Sequence, residues 1–75
     1  MNLLELGNRV KTLRKERGLT QEMLAKKAHI SRATLSKLEN GNIAQVSIVT
    51  LNDILNHLGY GLDIKALNPF SLDAT

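Results

Sequence analysis

Hydrophobic positions recur with a helical period along most of residues 1–60. Leu3, Leu6, Val10 and Leu13 are spaced by three or four positions, which is typical of a helix with one buried face. Gly18 is expected to end this helix. Apolar residues at the same spacing predict the inner faces of three more helices: Leu24, Ala25 and Ala28; then Leu35 and Leu38; then Ile48, Leu51, Ile54, Leu55 and Leu58.

Residues that favour helix ends stand at the boundaries of these elements. Thr20, Ser31 and Ser47 precede the second, third and fourth predicted helices, where a hydroxyl can accept a hydrogen bond from a free backbone amide. Gly41 and Gly59 follow the third and fourth helices, where glycine is favoured. The second and third helices are joined by a very short turn, and the third has a basic, polar outer face. This arrangement predicts a helix-turn-helix.

The pattern changes after the fourth predicted helix. Residues 62–65 alternate between apolar and polar, as in a half-buried β-strand. A lone strand leaves its backbone groups unpaired, and pairing with the same strand of a second copy would satisfy them. We therefore predict a dimerisation strand over 61–67 and a flexible tail over 68–75; a loosely ordered arm is the alternative. The predicted dimer contacts on this strand are Leu62, Ile64 and Ala66.

Composition narrows the class of protein. The chain has 75 residues, of which 43% are hydrophobic and 23% are charged, so one small globular domain is expected, neither membrane-spanning nor disordered. Because cysteine is absent, disulfides and cysteine-type zinc sites are excluded, and self-association is the expected source of additional stability. Residues 1–7 lack the features of a signal peptide, which indicates a cytoplasmic location.

The charge is unevenly distributed along the chain. Between Arg9 and Lys37 there are nine basic residues and two acidic ones, giving a charge of +7, whereas the remainder carries −4. This asymmetry favours a polyanionic partner on one side of the molecule and a different partner on the other. An ordinary solvated helix surface is the alternative interpretation of the basic half.

The segment GLTQEMLAKKAHISRATLSKLENG, residues 18–41, resembles the phage-repressor (Cro, XRE) helix-turn-helix family. Ala25 matches the small residue at which the two helices cross, and His29 replaces the usual glycine of the turn, which requires a positive φ. The resemblance covers residues 1–60 and implies a compact four-helix, lambda-repressor-like DNA-binding domain. The apolar positions that match the family are Leu24, Ala28, Ile30, Leu35 and Leu38.

The resemblance also implies roles for individual residues. The N-terminal part of the third helix would enter the major groove of double-stranded DNA. Arg32 is the strongest candidate for specificity, because a guanidinium can donate two hydrogen bonds to guanine. The residues expected to read bases are Ser31, Arg32, Ala33, Ser36 and Lys37.

Other residues are expected to hold the DNA backbone or the fold. By resemblance, Gln21 and Asn40 would contact phosphates, and Lys26 and Lys27 are expected to add diffuse attraction. Arg14 and Glu39 match a family pair that ties the first helix to the third through an ion pair. No cofactor and no metal are expected.

The end of the chain, residues 59–68, resembles the HipB-type antitoxin branch of the family. In that branch a short strand pairs across the dimer, and the protein represses its own promoter and restrains a HipA-like kinase toxin. The leading hypothesis is a homodimeric repressor of a pseudo-palindromic operator that is also an antitoxin. The alternative is a protein-interaction module whose main role is to neutralise the toxin. Phe70 is a candidate partner contact, or it folds back on its own dimer.

An enzyme is the least favoured class. The chain has no cysteine nucleophile, and His29 and His57 do not have the spacing of a metal site. A domain of this size is also expected to leave no room for a substrate pocket of about 300 Å³ or more.

Overall fold

Four α-helices make up most of residues 1–43 and 46–63, which are the residues that the computed structural model describes. They are α1 (Leu3–Glu16), α2 (Gln21–Lys27), α3 (Arg32–Glu39) and α4 (Ile48–His57). The predicted four-helix, all-α fold is confirmed. Residues 61–63 form no strand. The rest of the predicted strand, with Ile64 and Ala66, and the predicted tail, with Phe70, lie outside the described residues.

The helices begin at polar caps. The hydroxyls of Thr20, Ser31 and Ser47 each accept a hydrogen bond from the backbone amide three residues further on, at 3.0–3.1 Å, so all three predicted caps are confirmed. The side chain of Asn2 caps α1 in the same way, at 2.8 Å. The apolar pattern did not predict this fourth cap, because it begins only at Leu3.

All four helices end in the same motif. After each helix, a residue with positive φ donates its N–H to the carbonyl three positions back, and the next residue donates to the carbonyl five positions back. This is the Schellman motif, in which a left-handed residue is required. At three ends that residue is glycine, and after α2 it is His29, with φ of 56°. The positive φ predicted for His29 is therefore confirmed.

Replacing His29 with glycine is expected to stabilise the fold by about 0.5–1 kcal/mol, because histidine is strained at this positive φ and glycine is not. Lys27→Gly is the matched control: it adds the same residue inside helix α2, where glycine should cost about 0.5–1 kcal/mol. Urea unfolding followed by circular dichroism, at one protein concentration, measures both. A loss of stability in His29→Gly would show that the backbone at His29 is not strained.

The core lies where α3 packs against α1 and α2, and α2 packs against α4. Leu3 and Ile48 were predicted to be buried, but they are 56% and 75% exposed, so these two predictions are wrong. Each is the first residue of its helix, and helical period alone does not show how far along a helix the packing extends. Ile43, in the loop after α3, is buried although no pattern predicted it. The largest fully buried side chains are Val10, Leu24, Leu35, Leu38, Ile54 and Leu58.

Helix α1 approaches the end of α3 closely at Gly7. A Cβ atom at this position would lie 2.5 Å from the carbonyl oxygen of Leu38 and 2.7 Å from that of Glu39. Both atoms belong to the backbone, which cannot move aside without shifting the helix. Glycine is therefore required for this approach, and the approach sets where α3 sits on α1.

Gly7→Ala is expected to destabilise the protein by about 1–3 kcal/mol through overpacking. The direction of the stability change is informative, because in an open helix the same substitution should stabilise the protein by roughly 1 kcal/mol. Asn8→Ala, at the exposed neighbouring position of α1, is the control and should be neutral or slightly stabilising. Urea denaturation of both variants checks this, and equal effects at the two positions would rule out the close approach.

Candidate nucleic-acid interface

The outer face of α3 carries the predicted base-reading residues. Leu35 and Leu38 are fully buried and anchor the inner face of the helix. Residues 32, 33, 36 and 37 lie on the opposite side, because positions four apart share a helix face. The structure thus presents the predicted group together: Ser31, Arg32, Ala33 and Lys37 are exposed, and Ser36 is partly exposed.

Ser31 has less capacity to read a base than its exposure suggests. Its hydroxyl accepts a hydrogen bond from the backbone N–H of Thr34 at 3.0 Å, and it shares a second hydrogen bond of 2.8 Å with the hydroxyl of Thr34. A serine hydroxyl has one donor and two acceptor positions. Most of that capacity is used to begin α3, which identifies Ser31 primarily as a helix cap.

A buried ion pair joins α1 to α3. Arg14 Nε donates to Glu39 Oε2 at 2.7 Å, and Arg14 Nη2 donates to Glu39 Oε1 at 3.1 Å. The two side chains are 8% and 2% exposed. Arg14 Nη1 also donates to the carbonyl oxygen of Leu19 at 2.8 Å. The predicted pairing is thus present as a two-point contact with an additional backbone bond.

Gln21 connects this buried pair to the surface. Its Nε2 donates to Glu39 Oε1 at 3.1 Å, and its Oε1 accepts a 3.4 Å hydrogen bond from Arg32 Nε. A carboxylate can only accept, so the amide nitrogen of Gln21 must face Glu39 and its oxygen must face Arg32. A continuous polar chain therefore runs from Arg14 through Glu39 and Gln21 to Arg32. The pairing of Arg14 with Glu39 was expected from the family resemblance, whereas the links from Glu39 to Gln21 and from Gln21 to Arg32 were not predicted.

Three of these residues, Arg14, Gln21 and Arg32, line an open cleft of about 430 Å³ between the end of α1 and the beginnings of α2 and α3. The expectation that a chain of this size has no such space is therefore wrong. The lining residues are Arg14, Leu19, Thr20, Gln21, Glu22 and Arg32.

The remaining predicted phosphate contacts lie elsewhere. Lys26 and Lys27 are exposed in the last turn of α2, about 7.5 and 9 Å along the helix axis from Gln21. Asn40 is exposed at the C-terminal end of α3. The structure thus brings Gln21 to Arg32 but distributes the other three residues over a wider surface.

Two further properties concern only residues 1–43 and 46–63. Within them, no three His, Cys, Asp or Glu side chains are grouped so that they could hold a metal ion. None of the four helices has the length and apolar character needed to span a membrane.

Comparison with known proteins identifies the family of this chain. A sequence model of the helix-turn-helix family matches residues 10–65. The chain belongs to the XRE-type helix-turn-helix family. This confirms the family resemblance inferred from residues 18–41, and it extends the matched region beyond α4.

Relatives of this helix-turn-helix chain carry the names of regulators. A Mycobacterium tuberculosis protein named as the antitoxin HigA2 is 39% identical over 56 residues, which are 75% of this chain and 55% of that protein. The immunity repressor protein of Bacillus phage phi105 is 41% identical over 56 residues, 75% of this chain and 38% of the repressor. The chain thus spans only part of the length of either relative.

A solved structure shares the fold over nearly its whole length. A chain of the HipA-HipB-O2-O3 complex matches this helix-turn-helix chain with a TM-score of 0.76 and 32% identity. The match covers 91% of this chain and 94% of that one. The family is therefore one of DNA-binding regulators and antitoxins, and this chain has the fold of a member of a HipA-HipB assembly.

Breaking the buried pair on one side is expected to be far more harmful than removing it whole. Glu39→Gln should destabilise the domain by about 3–5 kcal/mol, because it leaves the Arg14 charge buried without a counter-charge. The double variant Arg14→Met, Glu39→Met should recover much of that loss, since apolar side chains of similar volume replace both charges. Urea unfolding measures both free energies.

The control for this prediction is Glu16→Gln, which makes the same chemical change at an exposed position of α1. It should alter the free energy of unfolding by no more than about 0.5 kcal/mol. A double methionine variant as unstable as Glu39→Gln would show that the cost comes from lost packing rather than from the unpaired charge.

Proposed function

We propose that this chain is a sequence-specific repressor that binds double-stranded DNA as a homodimer, with α3 in the major groove. The observation that carries the proposal is the position of Arg32. It stands exposed at the beginning of α3, beside Gln21 at the beginning of α2, and both are connected to a buried ion pair. A base-reading side chain with a fixed support is what sequence-specific binding requires.

Base recognition is assigned to the outer face of α3. Arg32 can donate two hydrogen bonds to O6 and N7 of guanine, and Ala33 can pack against the methyl group of thymine. Ser36 can make a single hydrogen bond with a base. Lys37 carries a flexible ammonium group, which suits either a guanine or a phosphate.

Phosphate binding is assigned first to Gln21. Its side-chain amide has two N–H donors, of which one is bonded to Glu39. The second donor is available for a phosphate oxygen, so one residue can hold the backbone while remaining attached to the core. Asn40 is assigned a similar contact at the other end of α3, and Lys26 and Lys27 supply general attraction.

Dimerisation is assigned to the segment after α4. The backbone N–H of Leu62 donates to Oδ1 of Asn52 at 3.0 Å, which directs the chain back along α4. Tyr60 and Leu62 are about half exposed, at 49% and 45%, and offer apolar surface for a second copy. A two-fold dimer presents two α3 helices, and it would recognise a pseudo-palindromic operator.

We further propose that the repressor is autoregulatory and is the antitoxin of a toxin-antitoxin pair, acting in the cytoplasm by binding rather than by catalysis. The relative named as an antitoxin and the fold match to a chain of the HipA-HipB complex support this role. The partner would be a HipA-like kinase toxin. Its contacts are proposed on the acidic part of the chain, with Phe70 as a candidate residue. Neutralisation as the main function, with DNA binding secondary, is the second candidate.

The decisive experiment is a gel shift with the DNA upstream of the chain's own reading frame. We expect binding to one pseudo-palindromic site that survives an excess of shuffled duplex, and that weakens steeply with salt as counterions are released. Failure of every upstream site to compete better than bulk DNA at physiological salt would overturn the repressor assignment. Binding of a co-expressed HipA-like kinase in that case would favour the second candidate.

Arg32→Ala and Gln21→Ala are expected to act differently. Arg32→Ala should cost roughly 1–3 kcal/mol of operator binding and relax the preference at one base, whereas Gln21→Ala should weaken binding to all sequences alike. Arg9→Ala, an exposed arginine on α1, controls for loss of a positive charge. Competition gel shifts with a set of single-base operator variants measure this, and identical profiles for the two variants would contradict the assigned roles.

A further inference from the structure

Arg32 is held from two sides by the first two residues of α2. Its Nε donates to Gln21 Oε1 at 3.4 Å, and its Nη1 lies 4.0 Å from Glu22 Oε1. The orientation of Gln21 is fixed in turn by Glu39, which accepts only hydrogen bonds. Arg32 thus has two polar neighbours on α2, although its own side chain is 66% exposed and that of Glu22 is 78% exposed.

These two contacts leave the DNA-binding edge of Arg32 accessible. A guanidinium has five N–H donors: one on Nε and two on each terminal nitrogen. Gln21 occupies the Nε donor, and Glu22 lies beside Nη1. Neither contact uses Nη2, and Nη1 has two N–H groups, so one donor on each terminal nitrogen can read O6 and N7 of guanine. Arg32 can thus read a guanine while it keeps both supports.

Glu22 suits the first turn of α2 but carries a cost for DNA binding. It is one of only two acidic residues between Arg9 and Lys37, and it lines the cleft with Arg32 and Gln21. A carboxylate beside the proposed phosphate contact repels the DNA backbone. That repulsion weakens binding to every sequence alike, so it does not by itself change the ratio of specific to non-specific affinity.

We propose that Glu22 is a specificity-determining residue that positions Arg32 for guanine and discourages its use as a general phosphate contact. This inference rests on the proposed DNA-binding function. At the correct site, Glu22 keeps the guanidinium of Arg32 pre-oriented, and the attraction between the two side chains becomes stronger as water is excluded. On other DNA its attraction for Arg32 competes with contacts between the guanidinium and phosphates. Both effects raise the ratio of specific to non-specific affinity.

The test measures that ratio in the full chain. The probes are a duplex selected by the wild-type chain from a random-sequence library and a shuffled duplex of the same composition, both at one salt concentration. Glu22→Gln should lower the ratio by about twofold to fivefold, the range that an exposed ion pair supplies. Affinity for the shuffled duplex should rise, because a repulsive charge is removed.

Two further variants separate positioning from net charge. Glu16→Gln makes the same charge change at an exposed residue that does not line the cleft, and it should leave the ratio unchanged. In an Arg32→Ala background, Glu22→Gln should have no effect on the ratio, because the residue that it positions is gone. Circular dichroism verifies that each variant is helical.

The outcomes distinguish the inference from the function on which it rests. A wild-type chain that selects no sequence would overturn the proposed function and this inference with it. A wild-type chain that discriminates, with an unchanged ratio in Glu22→Gln, would overturn the inference alone. An equal fall of the ratio with and without Arg32 would also overturn it, because Glu22 would then act through another group.

Discussion

The carboxylate of Glu39 is the constraint on which the rest of the structure depends. It is 2% exposed, and an unpaired charge at that depth would cost several kcal/mol. Its partners come from different helices, Arg14 from α1 and Gln21 from α2. A packing that separates any of the three helices would leave a buried charge without a partner. The pair therefore fixes how the helices meet more than it adds to stability.

The carboxylate of Glu39 also influences side chains at the protein surface. Because Glu39 accepts only, Gln21 has one possible orientation, and its oxygen is directed to Arg32. A glutamine at the protein surface would otherwise sample both orientations of its amide. The buried pair thus orients the amide that Arg32 contacts, which connects the folding of the domain to its proposed recognition of DNA.

The sequence predicted what is decided locally. Caps at Thr20, Ser31 and Ser47 depend on neighbouring residues, and the structure confirms all three. The positive φ at His29, which the structure also confirms, was implied by the family resemblance. The need for Gly7 depends on a distance between two helices, and no periodic pattern contains that distance. The connection from Gln21 to Arg32 was missed for the same reason, since it joins residues on two helices. Family resemblance supplied the Arg14 and Glu39 pairing, which local patterns alone would not have predicted.

The net charge of residues 9–37 is not the charge that the surface presents. Of the nine basic residues between Arg9 and Lys37, Arg14 is buried and paired with Glu39, which lies outside that segment. Eight basic side chains remain exposed, and one of them, Arg32, has an acidic neighbour. The charge of +7 therefore overstates what can attract DNA. In the proposed function, attraction to any duplex would come from the dispersed lysines and arginines, whereas discrimination between duplexes would depend on how Arg32 is held.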